Sequence, residues 1–346
     1  MLICVTSSEP SRAAAFSAIF KHIRLGGRTY KSIVIELNFF VPSIKYKRLE
    51  RNGVSLFILT IPKVFAKLFS LSLLRSGVFS FLQFNVFLPT SSWSRFTGSR
   101  VRKNYFFYGD GFGYANSLKK PSWLSQDKPK PRRHEEIYFI KSIKSHKEEL
   151  LSNDCRLVEL DFFKSISIFK EILHSEKQEM LYKKISNQID VDRNFLLFCG
   201  TTFASSGRMT AENEVALYER KIIRICTESN IPAVNVFLLL HPGNLAVNTL
   251  ACSSLHSYTI INGDDPIYCE TLLDFLINER EIAQEQCIVC PGSLGPLMGS
   301  LEYVKPENII IPFSERLLME HFFNLKFIKS RLKQESDMKA QLTNCQ

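Results

Sequence analysis

Three observations predict an α/β protein built from two doubly wound, Rossmann-like domains facing a cleft. Apolar runs of strand length alternate with amphipathic helical stretches, the pattern of parallel sheets flanked by helices. A polar stretch, NQIDVDRN (187–194), interrupts the alternation, which then begins again. The 346 residues suit two domains at about 150 residues each. The expected divisions are a first domain over 1–186, a linker over 187–193, a second domain over 194–333 and a polar tail over 334–346.

In the first half, LICVT (2–6) reads as a buried strand and SEPSRAAAFSAIFKHI as a helix starting at Ser8 or Glu9. SIVIELNFF (32–40) and VSLFIL (54–59) are strands. PKVFAKLFSLSLLR (62–75) carries apolar residues at 64, 65, 68, 71 and 74, a helical stripe. VFSFLQFNVFLP (78–89) and NYFFYG (104–109) read as strands. Residues 115–135, with Pro121, Pro129 and Pro131, read as a long surface loop. EIYFI (136–140) and RLVEL (156–160) are short strands, and 168–186 is a helix.

The second half repeats the alternation. NFLLFCG (194–200) is a strand, followed by a helix over 210–229 with Thr210 as its cap and Val215, Tyr218, Ile222 and Ile225 on one face. Strands follow at 233–240, 257–263, 285–292 and 308–313, with a helix from about Pro296 and a closing helix over 315–333.

Composition narrows the function classes. The net charge of +10 points to an anionic partner: nucleic acid, a membrane surface or a charged substrate. The basic runs KYKRLER (45–51) and KPKPRR (128–133) are short and lack the aromatics of a base-stacking platform, so they read as solvated surface and nucleic acid is not expected. Nine cysteines without a regular framework exclude a small disulfide scaffold and suit reduced thiols in a cytoplasmic protein. Cys287 and Cys290 lack the further ligands of a zinc site and read as strand core. Asp190-Val191-Asp192 reads as linker, so no metal is expected. The N-terminus lacks the features of a signal peptide, and no window has 18 apolar residues.

Ligands of open α/β sheets bind beyond the carboxyl ends of the strands. Three groups follow predicted strand ends. Asp110 lies between Gly109 and Gly111, which allow a sharp bend and a close approach to a ligand. This suits a general base, and an Asp-Gly hairpin turn accounts for the same residues. His241 precedes Pro242, which favours an extended backbone and a ring projecting from the sheet edge to bind phosphate or protonate a leaving group. A polar residue opening a turn is the plainer account. Ser293, after Gly292, stands before a helix whose N-terminus offers free N–H groups to an anion, and simple capping is compatible with that role.

Together these residues resemble the bacterial sialyltransferases and polysialyltransferases. That family carries an acidic-acidic-Gly motif, a His-Pro motif and a late Ser-Ser/Thr motif; here Gly109-Asp110-Gly111, His241-Pro242 and Gly292-Ser293 stand in the same order. LLFCGTTFASSGRMTAENEVALYERKI (196–222) is similar to the family's strand, glycine turn and acidic helix, and DPIYCETLL (265–273) to its Pro-x-Glu-type stretch. The likeness covers 104–116 and about 190–315. Gly109 replaces the first acid of the family motif and Gly292 the first serine.

The resemblance implies a two-domain GT-B glycosyltransferase that inverts the anomeric carbon of a CMP-sialic acid or a related CMP-nonulosonate. Asp110 would be the base. His241 would serve the departing phosphate, with Ser293, Gly292, Gly200, Thr201 and Pro242 around it. Glu270 would meet the nucleoside. No cofactor or metal is implied. The acceptor would be a surface or capsule-type glycan, anionic or lipid-linked. The basic amphipathic 62–75 segment suits a peripheral contact with the inner face of a membrane, and a core helix with a solvated face is the plainer account. The alternatives are a GT-B transferase using a Kdo-like or UDP-sugar donor, and a non-catalytic binding protein of the same fold.

Overall fold

A computed structural model describes residues 2–26, 31–38, 43–62, 85–89, 102–107, 112, 114, 135–141, 155–261, 267–311, 313, 315–323 and 325–344. The chain divides into two compact units, Met1–Leu173 and His174–Gln346.

The first unit follows β1 (Leu2–Thr6), α1 (Glu9–Leu25), β2 (Lys31–Asn38), β3 (Lys45–Arg51), β4 (Val54–Pro62), β5 (Asn85–Pro89), β6 (Arg102–Phe106), β7 (Glu136–Phe139), β8 (Arg156–Glu159) and α2 (Phe162–Leu173). Its eight strands form one sheet in the order β3-β4-β2-β1-β5-β6-β7-β8. Every pairing is parallel except β3 with β4. The KYKRLER run, expected as solvated surface, is the edge strand β3. Asn52 and Gly53, at φ 50° and 76°, close a two-residue hairpin to β4. Leu49 is buried, and Lys47 reaches the carbonyl of Glu171 in α2. The remaining charges protect an exposed edge from pairing with another chain.

Ser8 caps α1 by accepting from the Ser11 N–H. The helix lies against β1, β5 and α2 through Ala13, Ala14, Phe16, Ala18 and Ile19, whose small members allow a close approach. Beneath its first turn, the buried Glu36 accepts from Arg12 Nε (2.8 Å), Thr6 Oγ1 (2.6 Å) and Thr60 Oγ1 (2.7 Å). These bonds tie the helix to the carboxyl ends of β1 and β2. Residues 63–75 of the expected amphipathic segment lie outside the described residues, as do Gly109, Asp110 and Gly111. β6 ends before them, and the Phe107 N–H still bonds to the Tyr138 carbonyl (3.0 Å).

The second unit follows α3 (Glu176–Gln188), β9 (Phe195–Cys199), α4 (Ala211–Ser229), β10 (Val236–Leu239), α5 (Leu245–Ser254), β11 (Thr259–Ile261), α6 (Cys269–Asp274), β12 (Cys287–Cys290), α7 (Leu294–Ser300), α8 (Arg316–Phe322) and α9 (Leu325–Asn344). Its sheet runs β11-β10-β9-β12, all parallel. Phe198, Val215, Tyr218, Ile222, Leu238 and Ile288 belong to one core between sheet and helices.

Four expectations are corrected here. The helix read over 168–186 is two helices: Ser175 accepts from the Gln178 N–H and starts α3 afresh. α3, expected in the first domain, belongs to the second unit, where Tyr182 stacks on Phe275 (5.2 Å) and donates to Thr271 Oγ1 (2.9 Å). The strand read over 308–313 shrinks to a single bridge between Ile309 and Val289, and Phe313 at φ 61° turns the chain away. The closing helix is broken into α8 and α9, and α9 continues through most of the expected polar tail, with Met338 buried.

Candidate functional site

The site is built at the carboxyl ends of β9, β10 and β12 within the second unit. Gly200 leaves β9, His241 and Pro242 leave β10 after Leu240, and Gly292 and Ser293 leave β12 after Pro291. The Gly200 N–H donates to the Leu239 carbonyl (2.8 Å), continuing the β9–β10 ladder past the strand end. A Cβ on Gly200 would lie 3.2 Å from the His241 nitrogen and 3.3 Å from the Tyr218 hydroxyl. A Cβ on Gly292 would lie 2.4 Å from the Gly200 carbonyl oxygen and 2.6 Å from that of Cys199. Both obstructing atoms are backbone, so only glycine fits at 292 without movement of the chain. Five predicted residues are thereby gathered: Gly200, Thr201, His241, Gly292 and Ser293.

One buried carboxylate organises the loop after β9. Glu214 stands in the first turn of α4, directed by the Thr210 cap, and is fully buried. It accepts from Ala204 N (2.6 Å), Phe203 N (3.3 Å), the Tyr218 hydroxyl (2.6 Å), Asn244 Nδ2 (3.0 Å) and the Thr201 hydroxyl. Asn244 also donates to the Thr201 carbonyl (3.0 Å). Residues 201–204 are thus fastened both to α4 and to the loop after β10. Burial and the Glu214 carboxylate push the Tyr218 hydroxyl well above the ordinary phenol range, so it serves as a donor.

His241 is exposed, and its Nδ1 accepts from the Gly243 N–H (3.0 Å). Partial burial lowers its pKa below the ordinary imidazole value, while Glu214 acts in the opposite direction. Pro242 is exposed within the same turn. Ser293 is exposed and precedes α7, which starts at Leu294 and not near Pro296. Its hydroxyl makes no capping bond, so the simple capping account does not describe this serine.

Glu270 lies in the first turn of α6 and is buried against α7: a Cβ on Gly299 would come within 2.1 Å of its Cγ. Burial pushes its carboxyl up to about 7. Its link to the strand-end loops runs through α7, which Ser293 precedes. Among the described residues, no group of three or more His, Cys, Asp or Glu side chains is arranged to hold a metal, and no helix is long and apolar enough to cross a membrane. Cys287 and Cys290 are fully buried in β12, as expected of strand core.

Glu214, Tyr218 and Asn244 complete the site although the sequence reading did not select them. The available signal was spacing. Tyr218 was placed on the apolar face of α4, and Glu214 one turn earlier shares that face. A carboxylate there must be buried with partners.

No family model and no curated protein matches the chain. Solved structures do. One is described as an α,α-trehalose-phosphate synthase (UDP-forming) from Burkholderia xenovorans in complex with glucose-6-phosphate, at 10% identity and TM-score 0.40, covering 100% of this chain and 97% of that one. A second, trehalose-6-phosphate from E. coli bound with UDP-2-fluoro glucose, is 8% identical at TM-score 0.40, covering 100% and 96%. A third is a UDP-GlcNAc 2-epimerase from Methanocaldococcus jannaschii, 10% identical at TM-score 0.43, covering 87% and 91%. Likeness at this level carries neither substrate nor mechanism to this chain.

Proposed function

We propose that the chain is a glycosyltransferase of the GT-B type, moving a sugar from a nucleotide donor to a glycan acceptor. The observation that supports this best is the closure of three post-strand loops at one sheet edge. Gly292 packs on the Gly200 carbonyl, His241 lies beside Gly200, and Ser293 carries a hydroxyl free of capping duty. Backbone this bare at the carboxyl edge of a parallel sheet suits a phosphate approached by N–H groups.

In this reading His241 and Ser293 meet the nucleotide phosphate, with Gly200, Thr201, Pro242 and Gly292 shaping its cradle. Glu270 serves the nucleoside side. Asp110 takes the proton of the acceptor hydroxyl. The acceptor oxygen bonds to the anomeric carbon as the bond from that carbon to the phosphate oxygen breaks, and its electron pair leaves with the nucleotide. Attack from the opposite face inverts the centre. Where the donor is a CMP-sugar, the monophosphate leaving group is already a stable anion, and that route calls for no metal. The +10 charge favours anionic donors and acceptors.

Two donor classes fit this reading, a UDP-sugar and CMP-sialic acid, and one experiment separates them. Binding of UDP, CMP and GDP is measured by calorimetry, and release of nucleotide from the corresponding sugar donors is followed for wild type, Asp110→Ala and His241→Ala. Binding of one nucleotide, with turnover lost in Asp110→Ala and affinity kept, is the expected result. Binding without turnover in wild type leaves a binding protein. No binding of any nucleotide defeats the proposal.

A further inference from the structure

We propose that Gly243 is a positioning residue that holds His241 as the neutral imidazole with its proton on Nε2, so that His241 meets its ligand as a hydrogen-bond donor to an anionic oxygen and not as a proton source. The ligand in this statement rests on the nucleotide reading above. The state of the ring rests on the turn alone.

A backbone N–H can only donate. The Gly243 N–H lies 3.0 Å from His241 Nδ1, so Nδ1 must accept through its lone pair, and the ring's single proton is left on Nε2. Protonating Nδ1 would set two N–H groups against each other and forfeit the bond. The ring is seated closely: a Cβ on Gly243 would lie 3.3 Å from Nδ1 and 3.4 Å from Cε1. The backbone beneath is fixed as well, since the His241 carbonyl accepts from Asn244 N (3.0 Å) and Asn248 Nδ2 (3.2 Å). Partial burial also favours the neutral ring, and Glu214 is the charged group that opposes it.

The turn by itself does not explain a histidine. An acceptor side chain bonded to the N–H two residues on is the usual work of Asn or Asp. Imidazole makes the same bond and keeps a second, donating nitrogen on an exposed side chain. A departing nucleotide phosphate is an anion at neutral pH and needs no proton, so a fixed neutral donor suits it.

The test is nitrogen NMR of the full chain with labelled histidine, the His241 signals being identified by their loss in His241→Asn. The expected spectrum has the proton on Nε2 and a titration midpoint below 6.5. Gly243→Pro, which removes the N–H, is expected to raise the midpoint and mix the tautomers while the other histidine signals stay in place. If that variant misfolds, the wild-type spectrum decides the lock alone. A proton on Nδ1, a charged ring at pH 7, or His241 signals unmoved in the folded variant would overturn the lock. His241→Asn keeps the acceptor of the turn, but its NH2 stands nearer the backbone than Nε2 and falls short of the ligand, so it should melt with wild type yet bind UDP or CMP about ten- to a hundredfold more weakly. Unchanged affinity would overturn the donor role. Failure of wild type to bind either nucleotide would defeat the site reading instead, with the NMR result still deciding the lock.

Discussion

Replacing Glu214 by Gln tests whether one buried carboxylate holds the candidate site together. One carboxylate oxygen faces Ala204 N and Asn244 Nδ2; the other faces Phe203 N and the hydroxyls of Tyr218 and Thr201. A glutamine must place its NH2 at one of these positions. Hydroxyls can rotate to accept from it, but a backbone N–H cannot, so either orientation leaves at least one buried N–H without an acceptor. That costs about 1–3 kcal/mol, and the surviving bonds lose their charge assistance. A total near 3 kcal/mol corresponds to a fall in Tm of roughly 6–12 °C for a unit of this size. Calorimetry should be joined to amide exchange in the peptides that span Phe203 and Ala204, between β9 and α4. A Tm within about 2 °C of wild type, with unchanged exchange at Phe203 and Ala204, would refute the reasoning.

Gly292→Ala forces a Cβ onto the Gly200 and Cys199 carbonyls, so a lower Tm and at least about tenfold weaker nucleotide binding are expected by calorimetry, against little change in a volume-neutral core swap. Glu270 binds its proton more tightly folded, near 7, than at the ordinary 4.5, so its contribution to stability falls as pH rises through that window, by up to roughly 3 kcal/mol. Glu335, also raised to about 7, acts in the same direction. Denaturant melts of Glu270→Gln should therefore show a flatter decline between pH 5 and 8 than wild type, and a steeper one would refute the assignment. Glu315 holds the buried Lys221 ammonium at 2.6 Å, and Glu315→Ala is expected to cost about 2–3 kcal/mol in chemical denaturation.

How much of this was legible in the sequence depends on where each residue's signal lay. α4 showed itself completely: Thr210 caps it, and Val215, Tyr218, Ile222 and Ile225 make one apolar face. β9 and β12 were equally clear, because strands covered on both sides are continuous apolar runs. β3 was hidden by its four Lys and Arg residues, the same charges that protect an edge strand, although Asn52-Gly53 beside it signals a hairpin. α9 was read too short because its inward stripe at 328, 331, 335 and 338 includes Arg331 and Glu335, which pair inside the unit at 3.3 Å. A hydropathy pattern marks such positions as outward.

The candidate site divides along the same line. Its glycines, His241 and Ser293 were found because they follow recognisable strands, so the strand pattern located the sheet edge and chemistry chose the residues. Spacing sets Glu214 beside Tyr218 on the buried face of α4, but the partners that give these two and Asn244 their roles lie in other loops, which no local spacing encodes. The distinction matters for His241 in particular. A His-Pro pair states that a ring sits at a strand end, and nothing in the pair states its protonation. That is set by Gly243, one residue beyond the pair, through a bond from a backbone N–H. The chemistry of the residue is therefore a property of the turn, and variants in the turn should alter it without touching the ring.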